Sequence, residues 1–274
     1  MTIWPTVLHE VRMFFIALQF LTRVPVPAWV GVGFEPGWLN RCVVHFPLVG
    51  ALVGAAGACV LWAASGWASP LVAALLTVTA TVCATGAFHE DGLADTFDAL
   101  GGHVPRERAL EIMKDSRIGT YGAAALGLSL ALRVALLAEL VQADPITAAL
   151  ALVAAHVLGR AGAVVLMSWL PYAGDVAHAK AKPLAVAVPW RLAVVASICA
   201  GLLWIAVVAM AVAATPAPDS TWIGAWAASA IASVVVVLLM RRWLWARLGG
   251  YTGDGLGATE QLIEVAVLLV LCVG

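Results

Sequence analysis

The chain has 274 residues, of which 63% are hydrophobic and 11% are charged, and its mean hydropathy is +0.98. Soluble domains have about 45–50% apolar and about 25% charged residues, so this composition excludes a single soluble core and predicts an integral membrane protein. The net charge of −1, without a basic run or an RNA-binding motif, gives no indication of nucleic acid as a partner. We expect one polytopic domain over residues 1–274.

Seven apolar stretches are long enough to cross a bilayer as α-helices, which takes about 20 residues each. The predicted spans are 42–64, 70–88, 121–141, 146–170, 191–213, 221–240 and 257–273. The N-terminal segment 6–22 is also apolar but contains Glu10 and Arg12. We predict an interfacial or tilted helix there, with a true span as the alternative. The predicted fold is therefore an all-α bundle of about seven transmembrane helices plus this N-terminal helix.

Basic residues divide the connections between spans into two sets. The connections near 65–69, 142–145 and 214–220 contain no Lys or Arg. The opposite connections carry Arg106, Arg108, Lys114, Arg117, Lys180, Lys182, Arg191, Arg241, Arg242 and Arg247. By the positive-inside rule the second set is cytoplasmic, which predicts a multi-pass protein of the inner cell membrane. The carboxylates concentrate on the same side, so we expect the active site to face the cytoplasm.

The first acidic cluster follows the second predicted span. Asp91, Asp95 and Asp98 have the spacing i, i+4, i+7, which places three carboxylates on one face of a helix. Like charges repel, and oxygen-only ligands favour a hard cation such as Mg²⁺, so we predict a metal site here. The alternative is a solvated acidic helix start, favoured by the helix dipole. For His89, beside these carboxylates, a hydrogen-bonding role is preferred over metal ligation.

The second cluster is basic and glycine-containing. Lys114 offers a point charge and Arg117 a planar fork, both suited to phosphate oxygens. The glycines that follow allow the backbone to approach a ligand closely. The alternative is a loop whose cations only fix the topology.

The third cluster is a glycine-rich segment, 249–257, which contains Thr252, Gly253 and Asp254. We predict a loop that presents backbone N–H groups to an anion. The lack of a following Gly-Lys-Ser/Thr excludes a Walker A loop. The residues Asp254-Gly-Leu-Gly-Ala-Thr259 resemble Asp91-Gly-Leu-Ala-Asp-Thr96, so the two segments could face each other across one metal site, although six residues can match by coincidence.

Ionisable groups inside predicted spans are costly in lipid and are functional candidates. Glu260 and Glu264 share one helix face near the start of the last span, and Arg160 lies well inside its own span. The partner of Arg160 could be a carboxylate or a substrate phosphate. For the two glutamates, the alternative is an acidic helix start.

Five segments together resemble one family. They are Phe20-Leu-Thr-Arg-Val-Pro-Val-Pro27, Phe46-Pro-Leu-Val-Gly50, His89-Glu-Asp-Gly-Leu-Ala-Asp-Thr96, Ile112-Met-Lys-Asp-Ser-Arg-Ile-Gly-Thr-Tyr-Gly122 and Gly250-Tyr-Thr-Gly-Asp254. Their order and spacing resemble cobalamin synthase, the adenosylcobinamide-GDP ribazoletransferase family, over almost the whole chain. One departure is Ala99, where the family often has Gly.

The resemblance implies an Mg²⁺-requiring membrane phosphotransferase that acts late in cobalamin biosynthesis. α-Ribazole or its 5′-phosphate would attack the corrinoid-side phosphate of adenosylcobinamide-GDP and release GMP, forming adenosylcobalamin or its phosphate. Partners would be these two substrates and the lipid bilayer, with a homo-oligomer or an association with other cobalamin-assembly enzymes left open.

Roles for the singled-out residues follow from charge and chemistry. Asp91 and Asp95 are predicted metal ligands, with Asp98 and Asp254 as additional ligands. Lys114 and Arg117 are predicted to bind the pyrophosphate. Glu260 or Glu264 would orient the ribazole or accept the hydroxyl proton, and the sequence leaves open which. We assign Glu264 to catalysis and assign the remaining candidates to substrate binding, namely His89, Arg160, Thr252, Gly253 and Glu260.

Three other protein classes are alternatives. CDP-alcohol phosphotransferases use an Asp-Gly-x-x-Ala-Arg pattern, whereas Asp95 and Thr96 follow Ala94 here. Prenyltransferases typically carry Asp-Asp-x-x-Asp, which this chain lacks. A cation transporter should carry polar groups on both faces of the membrane, whereas here they crowd one face.

Overall fold

The computed structural model describes residues 4–31, 33, 35, 37–174, 188–215 and 218–274. The chain is 83% helical, and no strand occurs among the described residues. The α-helices are α1 (Trp4–Leu21), α2 (Gly37–Cys42), α3 (Phe46–Ser65), α4 (Pro70–Thr85), α5 (Phe88–Leu100), α6 (Arg106–Ile112), α7 (Thr120–Ala143), α8 (Pro145–Trp169), α9 (Trp190–Ala214), α10 (Ser220–Leu248) and α11 (Gly253–Val273). The prediction of an all-α membrane fold is confirmed.

Six helical segments among the described residues are long and apolar enough to cross a bilayer. They are α2–α3 taken together, α7, α8, α9, α10 and α11, and the α4–α5 pair raises the count to seven if it is one span. The predicted count of about seven agrees with this range. Helix α1 is not among the candidate spans, and its interfacial position stays a prediction.

The second predicted span, 70–88, ends earlier than expected. Helix α4 stops at Thr85, and the chain bends by 88° into α5. Gly86 and Ala87 build this corner, with left-handed φ angles of 68° and 59°. Glycine adopts such angles without steric cost, whereas alanine does not. The sequence pattern missed the corner because the apolar run continues past it to Phe88.

Helix α8 lies at the centre of the bundle, packed against α3, α9 and α11, and α5 lies across α7 and α11. The predicted glycine-rich loop 249–257 is shorter in the structure. Gly249 ends α10 with a φ of 69°, and Thr252 caps α11 by accepting a 3.1 Å hydrogen bond from the Gly255 N–H. The loop is therefore 249–252, and Asp254 belongs to the first turn of a helix.

Two arginines tie together the connections at one end of the bundle. Arg106 donates to the carbonyl of Leu248 at 2.7 Å, and Arg247 donates to the carbonyl of Leu100 at 2.7 Å. Each guanidinium thus satisfies a carbonyl at a helix C-terminus, where backbone acceptors lack partners. We call this end, where α8 and α10 finish and α7 and α11 begin, the basic end. The predicted basic residues Lys180 and Lys182 lie outside the described residues.

Candidate active site

The acidic residues of α5 lie beside the start of α11 at the basic end. Asp91 is exposed, and Asp95 and Asp254 are partly buried. Gly92 makes this approach possible, because a Cβ added there would lie 2.9 Å from the backbone oxygen of Asp254. At Gly257 an added Cβ would lie 3.2 Å from the carbonyl oxygen of His89. The two helices therefore touch through their backbones, and two segments more than 150 residues apart form one acidic edge.

The two similar six-residue segments meet without symmetry. Gly92 faces the backbone of Asp254, whereas its counterpart Gly255 lies against Leu244 and Thr252. The similarity therefore marks two helix starts that converge but does not describe a twofold site.

Asp98 has a structural role that the spacing did not predict. Its two carboxylate oxygens accept backbone hydrogen bonds from Gly119 at 2.6 Å and Gly122 at 2.8 Å. Asp98, on α5, thereby caps the N-terminus of α7. Its negative charge interacts favourably with the positive end of the α7 dipole. Its metal-ligand role stays a prediction, and this cap is a competing use of the same oxygens.

Replacing Asp98 should separate the two roles. We expect Asp98→Ala to lower the free energy of unfolding by about 1–2 kcal/mol, because two N–H groups at the α7 start lose their acceptor. Asp98→Asn keeps one acceptor oxygen and should lose less. Thermal unfolding in detergent measures the cost. If Asp98 is also a metal ligand, the Mg²⁺ concentration for half-maximal rate should rise in Asp98→Asn, and a wild-type value would leave capping as its role.

The predicted phosphate-binding cations lie on the connection between α6 and α7. Lys114 and Arg117 are exposed, and Arg117 donates to Asp115 through Nε at 3.0 Å and through Nη2 at 2.6 Å. These hydrogen bonds lower the pKa of Asp115 to about 2. Exposed ion pairs are weak, so a phosphate group could displace Asp115 from this guanidinium.

Side-chain contacts join this connection to both acidic helices. Its last residue, Gly119, is held by Asp98 of α5. Met113 at its start accepts a 3.6 Å hydrogen bond from the hydroxyl of Thr252, which caps α11. The three predicted clusters therefore converge at the basic end, and Gly253, the first residue of α11, is exposed.

The other predicted site residues lie inside the bundle, in what we call the buried charge network. Its eight side chains come from four helices and are each between 1% and 5% exposed. They are His89 and Glu90 of α5, Arg133 of α7, His156 and Arg160 of α8, and Glu260, Gln261 and Glu264 of α11.

Helix α11 contributes the carboxylates that contact the other three helices of this network. Arg133 contacts Glu264 at 2.9 Å and Glu90 at 3.0 Å. Arg160 contacts Glu260 at 2.6 Å and Glu264 at 2.5 Å. The Nε2 atom of His89 lies 2.8 Å from Glu260. The carboxylates of α11 therefore bind α5, α7 and α8 together.

Two further members complete the network. Gln261 accepts from Arg133 at 2.9 Å and donates to Glu90 at 3.2 Å. His156 contacts both Arg160 and Glu264. Four members were not predicted as site residues, namely Glu90, Arg133, His156 and Gln261. A usable signal existed for His156, which precedes Arg160 by four residues and so shares its helix face.

Three side chains of the network are spaced closely enough to hold a metal ion. Ligand atoms of His156, Glu260 and Glu264 lie within 4.8 Å of one another. The guanidinium of Arg160 is in contact with both carboxylates, and Arg133 also contacts Glu264, so two arginine charges already face these two carboxylates. The network therefore joins the helices that carry the acidic edge, and its predicted members His89, Arg160, Glu260 and Glu264 contact one another.

Sequence comparisons identify the family. The family model described as cobalamin-5-phosphate synthase matches residues 13–272. A protein of Leptothrix cholodnii named adenosylcobinamide-GDP ribazoletransferase is 51% identical over 264 residues, covering 96% of this chain and 95% of that protein. This chain belongs to the cobalamin-5-phosphate synthase family. Its membership confirms the resemblance seen in the five segments and confirms that the chain is an enzyme.

Other members have the same printed name. The protein of Albidiferax ferrireducens is 43% identical over 280 residues, covering 96% of this chain and 98% of that protein. The protein of Azorhizobium caulinodans is 44% identical over 256 residues, covering 92% of each chain. No solved structure is significantly similar to this one. Family membership sets aside the prenyltransferase, CDP-alcohol phosphotransferase and transporter alternatives.

Proposed function

We propose that this membrane transferase moves the adenosylcobinamide phosphate of adenosylcobinamide-GDP to α-ribazole or α-ribazole 5′-phosphate. A ribazole hydroxyl oxygen forms a bond to the corrinoid-side phosphorus, and the bond from that phosphorus to the bridging oxygen breaks. GMP leaves with the bridging oxygen, and the hydroxyl proton passes to a base. The product is adenosylcobalamin or its 5′-phosphate.

The convergence of three charged segments at one end of the bundle supports this proposal most strongly. Both the transferred group and the GMP leaving group are anionic, so the reaction needs cations and close backbone donors at one place. Lys114 and Arg117 supply charge on one segment, and Asp91, Asp95 and Asp254 supply oxygen ligands on the other two.

The acidic edge fits Mg²⁺ by its donor set. Asp91, Asp95 and Asp254 offer oxygen ligands only, which a hard cation prefers, and the close backbone approach at Gly92 brings the two helices that carry them together. When bound, Mg²⁺ would polarise the phosphate and stabilise charge on the leaving oxygen. Asp98 is a further proposed ligand, subject to its capping role.

The chain's own residues would position the substrates. Lys114 and Arg117 would bind pyrophosphate oxygens, while Thr252 and Gly253 would offer backbone donors at the α11 start. The proposed base, Glu264, is 1% exposed and contacts two guanidiniums. Proton transfer to it would require the ribazole to enter the bundle.

The reaction itself is the direct test. Purified protein in lipid vesicles should release GMP only when adenosylcobinamide-GDP, α-ribazole and Mg²⁺ are all present. Chromatography should show one equivalent of corrinoid product for each GMP. GMP release that is unchanged without α-ribazole would indicate hydrolysis and contradict the proposed transfer.

The proposed orientation can be tested with single cysteines in a background lacking the native five. Ser116 lies at the basic end and Ser220 at the opposite end, and both are exposed. We expect an impermeant maleimide to label Ser220→Cys on cells with a permeabilised outer membrane and an intact inner membrane. Ser116→Cys should be labelled only after the inner membrane is opened. The reverse pattern would place the basic end outside the cytoplasm.

A further inference from the structure

Arg23 lies against the corner between α4 and α5, directly before the acidic edge. Its backbone N–H donates to the carbonyl of Ala84 at 2.8 Å. Its side chain crosses Gly86 so closely that an added Cβ there would collide with it. Asp91 follows within the first turn of α5, where its N–H donates to the carbonyl of Ala87 at 2.9 Å.

Aromatic packing holds the segment that carries Arg23. Phe20 stacks on Phe46 of α3 with a centroid distance of 6.1 Å and meets Phe88 of α5 edge-on at 5.5 Å. The hydroxyl of Thr22 donates to the carbonyl of Leu18 at 2.7 Å. The backbone of Arg23 is therefore fixed on both sides, although its side chain is exposed.

Arg23 differs from most other described arginines in lacking a partner for its side chain. Acidic side chains, backbone carbonyls or aromatic rings contact Arg12, Arg41, Arg106, Arg108, Arg117, Arg133, Arg160, Arg191, Arg241 and Arg247. Within the described part of the chain, the side chains of Arg23 and Arg242 alone have no such contact. Of these two, Arg23 lies beside the acidic edge.

The corner itself is conformationally costly. Ala87 is the one non-glycine residue with positive φ among the described residues, and such a conformation costs of order 1–2 kcal/mol for an L-residue. Strain of this kind persists where the surrounding structure enforces it, and it clusters at functional sites. Here it sets the direction in which α5 leaves the corner that Arg23 contacts, one helical turn before Asp91.

We propose that Arg23 is a substrate-binding residue whose guanidinium binds phosphate oxygens at the rim of the acidic edge. A planar guanidinium without a carboxylate partner can bind a phosphate group through two parallel hydrogen bonds. The inference rests on the proposed function, which supplies two phosphate sources. These are the diphosphate of adenosylcobinamide-GDP and the 5′-phosphate of the acceptor.

Kinetics of Arg23→Gln with each acceptor test the proposal and distinguish the two sources. If Arg23 binds the acceptor, KM should rise about 10- to 100-fold for α-ribazole 5′-phosphate and stay unchanged for α-ribazole. If Arg23 binds the diphosphate, KM for adenosylcobinamide-GDP should rise by a similar factor with either acceptor. Arg242→Gln, which removes an equally exposed and unpartnered arginine, should leave all three KM values unchanged.

Two further measurements make a negative result decisive. Arg23→Lys keeps the positive charge but not the planar pair of N–H donors. It should therefore recover only part of the affinity that Arg23→Gln loses, and it should unfold at the wild-type temperature. Calorimetric binding of inorganic pyrophosphate with Mg²⁺ needs no turnover, so it tests Arg23 even if the proposed reaction fails. Wild-type kinetics and pyrophosphate binding in Arg23→Gln would overturn the proposal. An equal loss of activity and unfolding temperature in both variants would also overturn it.

Discussion

Asp91→Asn should reduce turnover at least 100-fold while the protein stays folded. Asp91 is exposed at the acidic edge, so its replacement by an isosteric amide should cost little stability. A lost metal ligand removes charge stabilisation that the transition state needs, and a factor of 100 corresponds to about 2.7 kcal/mol. GMP release by the purified variant measures the effect, and its unfolding temperature shows that folding is intact.

Glu107→Gln is the matched control for this experiment. Glu107 is also an exposed carboxylate near the basic end, on α6, and it belongs neither to the acidic edge nor to the connection between α6 and α7. Its removal changes the net charge by the same amount as Asp91→Asn and should leave turnover within about twofold. Near-wild-type turnover in Asp91→Asn would exclude Asp91 as a ligand.

Arg133→Met should have the largest effect on stability. The variant leaves Glu90 without a guanidinium and leaves Glu264 with Arg160 alone, in the bundle interior where Arg133 is 1% and Glu90 is 5% exposed. Removing one partner of a buried ion pair costs about 3–5 kcal/mol, because the remaining charge is left uncompensated. We expect a sharp loss of folded protein after detergent extraction, measured by size-exclusion yield and unfolding temperature.

A second substitution should restore much of this loss. Among the described residues, Arg133 is the one ion-pair partner of Glu90, so Glu90→Gln in the Arg133→Met background removes the uncompensated carboxylate. The double variant should be more stable than Arg133→Met alone, so the combined loss should be smaller than the sum of the two single losses. Additive losses would show that the two side chains do not form a functional pair.

Hydropathy and the basic-residue pattern predicted most of the fold because bilayer thickness fixes helix length. The spans at 121–141, 146–170 and 191–213 differ from α7, α8 and α9 by one or two residues at each end. The corner at Gly86 and Ala87 could not be predicted, because hydropathy reports burial in lipid and not backbone direction. Helix α10 runs eight residues beyond its predicted end because Arg241 and Arg242 lie within the helix, past the apolar stretch.

The three site segments were predictable from residue chemistry, but their internal roles were not. The run from His89 to Asp98 was interpreted as one acidic cluster, whereas the structure divides it by helix face. His89 and Glu90 point into the bundle, Asp91 faces outward and Asp98 caps another helix. A spacing of i, i+4, i+7 shows that side chains share a face but does not identify what that face contacts.

The buried charge network also has a consequence for the order in which the chain is made. Arg133 can meet Glu90 early, since α5 precedes α7, whereas both carboxylates that contact Arg160 belong to α11, which is synthesised three helices after α8. Until α11 enters the bilayer, Arg160 has no acidic partner among the described residues, and an unpaired guanidinium in lipid is costly. A nascent chain interrupted before Gly253 would therefore hold an Arg160 without its acidic partners, so α8 depends on α11 for a favourable place in the membrane.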